Sequence, residues 1–332
     1  MTYSAQQWLS KATLVDADIT GPTYGGLLSP DQVKQFLRVA IEASVLVSDC
    51  RQETSNATKF EVPRISFGSR ILRSGTEATR LTDANRIKPA TGLVTLTTNL
   101  YKGEVPVSDE VFEDNIEKEG FADTLMAMIA EAVGRDVEEL SLKNDTARVV
   151  GDGDSYPDFD IFDGLIKSMQ TNTPSAQKIS ATGETKYATI FKLALESLPA
   201  RYKRNYSALR FYVPIITQEG YQTELEARGT SALGDSAVAD DIRTSLSYHG
   251  IKVVGVPLLS GTDTINAVAV DYSTKGFLID PTNIVYGWHR RVRMERWRDP
   301  REAATSFIPS VRFDSQIADP NAVSLIEGIP VL

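Results

Sequence analysis

The sequence predicts an α+β fold in which a long two-stranded arm precedes an extended helix and an α/β block. Three observations carry this reading. Two alternating stretches, residues 59–72 and 92–107, flank a polar segment rich in turn formers. Apolar residues at three-and-four spacing run through residues 121–143. Beyond a Gly/Asp/Pro-rich linker at residues 151–163, short helix and strand patterns alternate toward the C-terminus.

The chain has 332 residues, of which 42% are hydrophobic and 24% charged, so it is of ordinary globular composition rather than disordered or low-complexity. No window reaches the ~18 consecutive apolar residues of a bilayer span, and the first residues show no basic-then-apolar secretory pattern. Cys50 is the only cysteine, which excludes an intramolecular disulfide and suits a reducing cytoplasm. The formal charge of −9 argues against a protein whose main task is to grip nucleic acid through its phosphates. His249 and His289 are the only histidines, so a His/Cys zinc site is not expected, and no G-x-S-x-G marks a nucleophile.

Element by element, Ser29-Pro30-Asp31 opens a helix: Ser29 caps, Pro30 suits the first turn, and Asp31 suits the dipole. Val33, Phe36, Leu37, Ala40, Ile41 and Val45 form its apolar stripe, which needs a partner on the body or on another chain. The two alternating stretches then form a hairpin with a broad polar tip. An isolated two-stranded hairpin is marginal in water and presents unpaired edges, so it makes sense lying on a neighbouring subunit. Arg64, Arg70, Arg73, Arg80, Arg86 and Lys88 make it basic inside an acidic chain. These residues and Glu77 are the arm's candidate interface residues. The alternative is an intramolecular hairpin with solvated flank charges.

The helix at residues 121–143 follows, a rod of roughly 30 Å. Phe121, Leu125, Met128, Ile129, Ala132, Val133, Val137 and Leu140 form its apolar face, and Asp123, Glu131, Arg135, Asp136 and Glu138 the other. The linker's aspartates invite a calcium reading. However, Tyr156 stands at the third ligand position, no glycine follows, and Asp163 replaces the distal Glu, so a solvated linker is the better account. Helices are expected at 162–169, 187–198, 220–227 and 237–246, and strands at 209–216, 251–256, 267–272, 276–279, 283–297 and 306–313. The stretch 290–301 holds six arginines near Trp288 and Trp297. Arginine with aromatics is found in single-strand binders. Glu295, Asp299 and Glu302 are interleaved here, so ion pairs between strands and subunits are the better use, with Arg290, Arg293 and Arg296 as further interface candidates. Neither a cofactor nor a metal site is expected.

Five passages in order resemble the tailed-bacteriophage major capsid protein family, with its Hong-Kong-97-type fold. LTTNLYKGEVPVSDEVFEDN (96–115) resembles that family's passage from E-loop to spine helix, and DGLIKSM (163–169) the start of its axial domain. ALESLPARYKRNYSALRFYV (194–213) is similar to its helix-to-strand segment, LIDPTNIVYGWHRRVRMERWRDP (278–300) to its returning strand, and RFDSQIADPNAV (312–323) to its closing strand.

The resemblance implies an N-terminal arm (1–58), an extended hairpin E-loop (59–107) and a spine helix (108–150) of the peripheral domain. A linker (151–162), an axial domain (163–281) and peripheral-domain strands with the C-terminus (282–332) follow. It further implies a non-enzymatic shell subunit, assembled in the host cytoplasm, that self-associates as hexamers and pentamers into an icosahedral virion head around double-stranded DNA, without sequence-specific DNA binding or membrane contact. A separate scaffolding protein, a portal and a possible decoration protein are the implied partners. Some family members join subunits covalently through a loop lysine. Lys88 and Lys102 are the only arm candidates past Lys59 and have no matching partners, so no cross-link is expected. An encapsulin-type shell with protein cargo is the alternative, and a two-domain α/β hydrolase or binding protein a distant one.

Overall fold

The computed structural model describes residues 45–66, 72, 77, 80, 82, 90–108, 121–148, 160–226, 246–265 and 268–330. The expected leading helix lies outside these residues apart from its end, where α1 (Val45–Asp49) forms one turn. Most of the arm's tip, most of the linker and the helix expected at 237–246, except the non-helical Leu246, also lie outside them.

The first sheet is built on a long antiparallel hairpin, β13 (Ile284–Asp299) with β14 (Ala304–Ile317). β1 (Arg51–Thr54) pairs parallel to the start of β13. β4 (Asn99–Lys102) and β5 (Val105–Ser108) pair side by side along β14. The arm is a separate two-stranded sheet, β2 (Lys59–Ser66) with β3 (Ala90–Thr97) in antiparallel register. The stretch 92–107, expected as one strand, is therefore three. β3 bonds to the arm, whereas β4 and β5 bond to β14, and the chain changes sheet at Thr98.

The 23-residue α2 (Phe121–Lys143) lies along the first sheet with Ile129, Val137 and Leu140 buried. Two assignments of its faces are corrected. Met128 is 62% exposed, and Glu138 is buried because its carboxylate accepts the Leu46 amide at 3.1 Å. Ser141, one turn on, donates to the Glu138 carbonyl at 2.7 Å, which leaves its oxygen to accept from the buried Tyr286 hydroxyl at 2.7 Å.

The second sheet has the order β6-β15-β12-β7-β9-β8. Its strands are β6 (Lys178–Ser180), β7 (Arg210–Pro214), β8 (Ser247–Tyr248), β9 (Ile251–Val256), β12 (Gly276–Ile279) and β15 (Val323–Glu327). β15 thus joins the second sheet, not the strands of 282–299 and 304–317 with which its place in the sequence groups it. α3 (Leu165–Asn172) packs against α2, and α4 (Tyr187–Ser197) and α5 (Ile215–Glu226) pack on the second sheet. The expected strand 209–216 ends at Pro214, and the next residue begins α5. A small hairpin, β10 (Thr262–Ile265) with β11 (Val268–Asp271), completes the described elements.

The second sheet separates two cores, which explains its unbroken apolar strands. Because strand side chains alternate faces, Phe211, Val213, Leu278 and Ile326 enter the core under α4 and α5. Tyr212, Phe277, Ile279 and Leu325 enter the core shared with the first sheet and α3. In that shared core Tyr101 packs tilted and Phe162 edge-on against Phe313, with ring centroids 5.4 and 5.8 Å away, and Trp288 packs on it at 5.7 Å.

Candidate functional site

The candidate site is the seat from which the two limbs leave the body. Of the arm's described side chains only Leu96 is buried. Its ladder sets Phe60 opposite Leu96 and Val62 opposite Val94, yet Leu93 is 60% exposed. The seat is a glycine: a Cβ on Gly287 of β13 would lie 2.7 Å from Phe60 Cζ and 3.1 Å from Leu96 Cδ1. Only a residue without a side chain lets the arm approach the sheet this closely.

Two aspartates fix the arm's base. Asp314 on β14, itself buried, accepts the Thr97 amide on Oδ2 at 2.7 Å. Burial pushes its carboxyl up to about 6, against bonds from the Thr97 and Ser315 amides and the Gln316 side chain that pull it down. Asp319 is a hub. Arg64 of the arm reaches it at 3.1 Å and donates to the Ala318 carbonyl at 2.6 Å, while Tyr202 donates to it at 2.6 Å. Burial works against its charge, but the bonds from Tyr202 and Asn321 and the Arg64 charge hold it below the usual carboxylate range. The same contact, with burial leading, pushes the Tyr202 phenol up to about 12.

The leading limb is anchored independently. Asp49, at the end of α1, forms an ion pair with Arg210 of β7 and accepts from the Tyr212 hydroxyl at 3.2 Å. β1 then adds to the β13 edge, so residues 45–54 are stitched to α2 and both sheets.

The interface candidates are placed as follows. Arg64 is committed within the chain to Ala318 and Asp319. Glu77, Arg80 and Arg296 are exposed. Arg290 is half-buried, and Arg293 pairs with Glu295 at 3.1 Å along its own strand. Arg70, Arg73, Arg86 and Lys88 lie outside the described residues. The β13–β14 pairing has register shifts between Trp288 and Arg290 and between Arg290 and Arg293. Val292 and Met294 still point inward, while Arg291, Arg296, Trp297 and Arg298 are exposed. Sequence reasoning did not find Asp314, Asp319 and Glu138. For Asp319 a local signal existed: it caps the 3₁₀ turn Pro320–Ala322 as Asp280 caps Pro281–Asn283.

Among the described residues no group of three or more His, Cys, Asp or Glu side chains is arranged to hold a metal. Of the linker's aspartates, Asp163 instead accepts from the Thr146 amide at 3.1 Å and its hydroxyl at 2.6 Å, and Asp152, Asp154 and Asp158 lie outside the described residues. His249 occupies the β8–β9 turn and His289 lies on β13 of the other sheet. No helix among the described residues is long and apolar enough to cross a membrane.

A separate arm, a long helix laid along one sheet and a second sheet flanked by helices define a viral shell-subunit fold of the Hong-Kong-97 type. Solved structures share it across the full length. A chain of the satellite phage P4 procapsid matches with a TM-score of 0.64 at 13% identity, covering 100% of this chain and 99% of that one. A chain of the holo-SrpI encapsulin complex of Synechococcus elongatus PCC 7942 matches with a TM-score of 0.54 at 13% identity, covering 97% and 95%. No protein-family model matches the chain. In sequence, it is 30% identical over 303 residues to YqbE of Bacillus subtilis (strain 168), named as a prophage capsid protein, covering 91% of this chain and 92% of that protein. The chain belongs to the phage major capsid protein family, and its place is the capsid of the virion.

Proposed function

We propose that the chain is a tile of an icosahedral phage head, associating with itself as hexamers and pentamers around a double-stranded DNA genome, with the β2–β3 arm laid over the adjoining subunit. One observation carries the reading: an eight-residue ladder that buries a single described side chain of its own, Leu96. Such a hairpin is marginal alone, so its exposed edges and Leu93 need a partner surface. Head-to-tail contacts of this kind, repeated around a closed lattice, build a shell rather than a dimer.

On this reading the role is structural, with no catalytic step. The acidic balance of the chain suits a wall that does not hold its packaged polyanion tightly. A separate scaffolding protein, a portal and a decoration protein are the partners expected beyond the chain itself. Arg70, Arg73, Glu77, Arg80, Arg86 and Lys88 on the arm, with Arg290, Arg293 and Arg296, are the residues expected to face neighbouring subunits.

Deleting residues 74–89 tests the clasp. The variant is expected to fold, shown by an unchanged circular dichroism spectrum, and to fail to form closed particles in gel filtration and negative-stain images. Normal particles from it would refute the intersubunit arm. Particles purified from phage-producing cells are expected to contain nucleic acid; protein cargo in its place would select an encapsulin-type shell.

A further inference from the structure

Away from the arm's seat, a cavity of about 300 Å³ opens where the end of α2 meets α3 and the β10–β11 hairpin. Lys143, Lys167 and Lys275 line it from three separate elements, and Asp145 is the lone carboxylate of the lining. Two of the ammonium groups are matched. Lys143 donates to Glu139 at 2.8 Å, and Lys167 to Asp145 at 3.0 Å. Lys275 is not: its ammonium stands over the Tyr272 ring, 5.1 Å from the centroid, and makes no hydrogen bond or ion pair with a described residue. The Lys143 ammonium also lies near this ring, at 5.3 Å.

A half-buried ammonium without an acceptor is costly. Burial pulls the Lys275 group below its ordinary value, and the charges of Glu327, Asp145 and Asp271 offset this only in part. With Glu139 and Asp145 each taken by one lysine, the three ammonium groups leave one positive charge, that of Lys275, without a hydrogen-bond acceptor at the cavity. A compact multivalent anion supplies both the opposite charge and the acceptor, and the cavity has the volume for one.

We propose that this cavity is an oxyanion site, in which a phosphate-like anion binds between Lys275, Lys143 and Lys167. Bound there, the anion cross-braces the end of α2, α3 and the segment that follows β11. The proposal is independent of the assembly reading, because it concerns one subunit.

The test uses the full-length chain and inorganic phosphate. Saturable broadening of the phosphate ³¹P signal is expected. The melting temperature in sodium phosphate should exceed that in sodium chloride of equal ionic strength by about 2 °C or more. Lys275→Gln should lose both effects and Lys275→Arg keep them. Phosphate also stabilises proteins generally by exclusion from their surface, but that action is the same in every variant. An equal rise in wild type and Lys275→Gln, or no broadening in wild type, overturns the site. Should Lys275→Gln not fold, Lys167→Gln replaces it, since that side chain is 30% exposed and better able to tolerate exchange.

Discussion

Asp314 offers a quantitative test of how the arm's seat is held. Its carboxyl moves from 3.8 to about 6 on folding, chiefly through burial. The folded protein therefore binds this proton more tightly than the unfolded chain, and ionising the group costs folding free energy. That cost is absent below about pH 4 and complete above about pH 6, where it amounts to about 3 kcal/mol. Stability from this group thus falls as pH rises through that window. Asp314→Asn keeps an amide oxygen for the Thr97 N–H but cannot ionise. The variant's stability relative to wild type should rise by up to ~3 kcal/mol between pH 4 and 7.5, and all other carboxylates cancel in that difference. Urea unfolding of unassembled subunits, followed by tryptophan fluorescence, measures it, because Trp288 pairs with Phe313 beside the site. A difference that is flat across the window, or that falls with pH, would refute the assignment of burial as the dominant influence.

Three further outcomes are expected. Gly287→Val should force Phe60 and Leu96 off β13 at a cost of about 1–3 kcal/mol, read as faster proteolysis within the arm while the body stays protected. Arg148→Met should destabilise by about 3–5 kcal/mol in chemical denaturation, since Arg148 meets Asp263 at 2.6 Å with both side chains almost fully buried; a loss below 1 kcal/mol would show that Asp263 finds another partner. Cys50 is buried, and desolvation with the Asp49 and Glu138 charges pushes its thiol well up. It should therefore react with Ellman's reagent orders of magnitude more slowly in the native subunit than in urea.

Much of the framework was legible from periodicity. The three-and-four pattern at 121–143 coincides with α2, and the apolar run at 276–279 with β12. What failed was information that no local pattern holds. Arg51–Thr54 has no apolar residue, so only its docking on β13 makes it a strand. Glu138 was read as outward-facing by its charge, yet its role is to receive an amide from a segment 92 residues earlier. The break at Thr98 was hidden because alternation persists while the hydrogen-bond partner changes from β2 to β14. The arm's basic character was visible in the sequence, but the residues that hold its base, Asp314, Asp319 and Gly287, lie far along the chain from it, as the 217 positions between Thr97 and Asp314 show.

The position of β15 has a consequence for how tiles are made. Residues 323–327 are synthesised long after β6 and β12, yet they fill the gap between those two strands. Until the ribosome delivers them, β12 keeps a bare edge, and Val323, Leu325 and Ile326 are missing from the two cores. A polypeptide that ends before residue 323 therefore lacks the strand that joins β6 to β12 and cannot complete this fold.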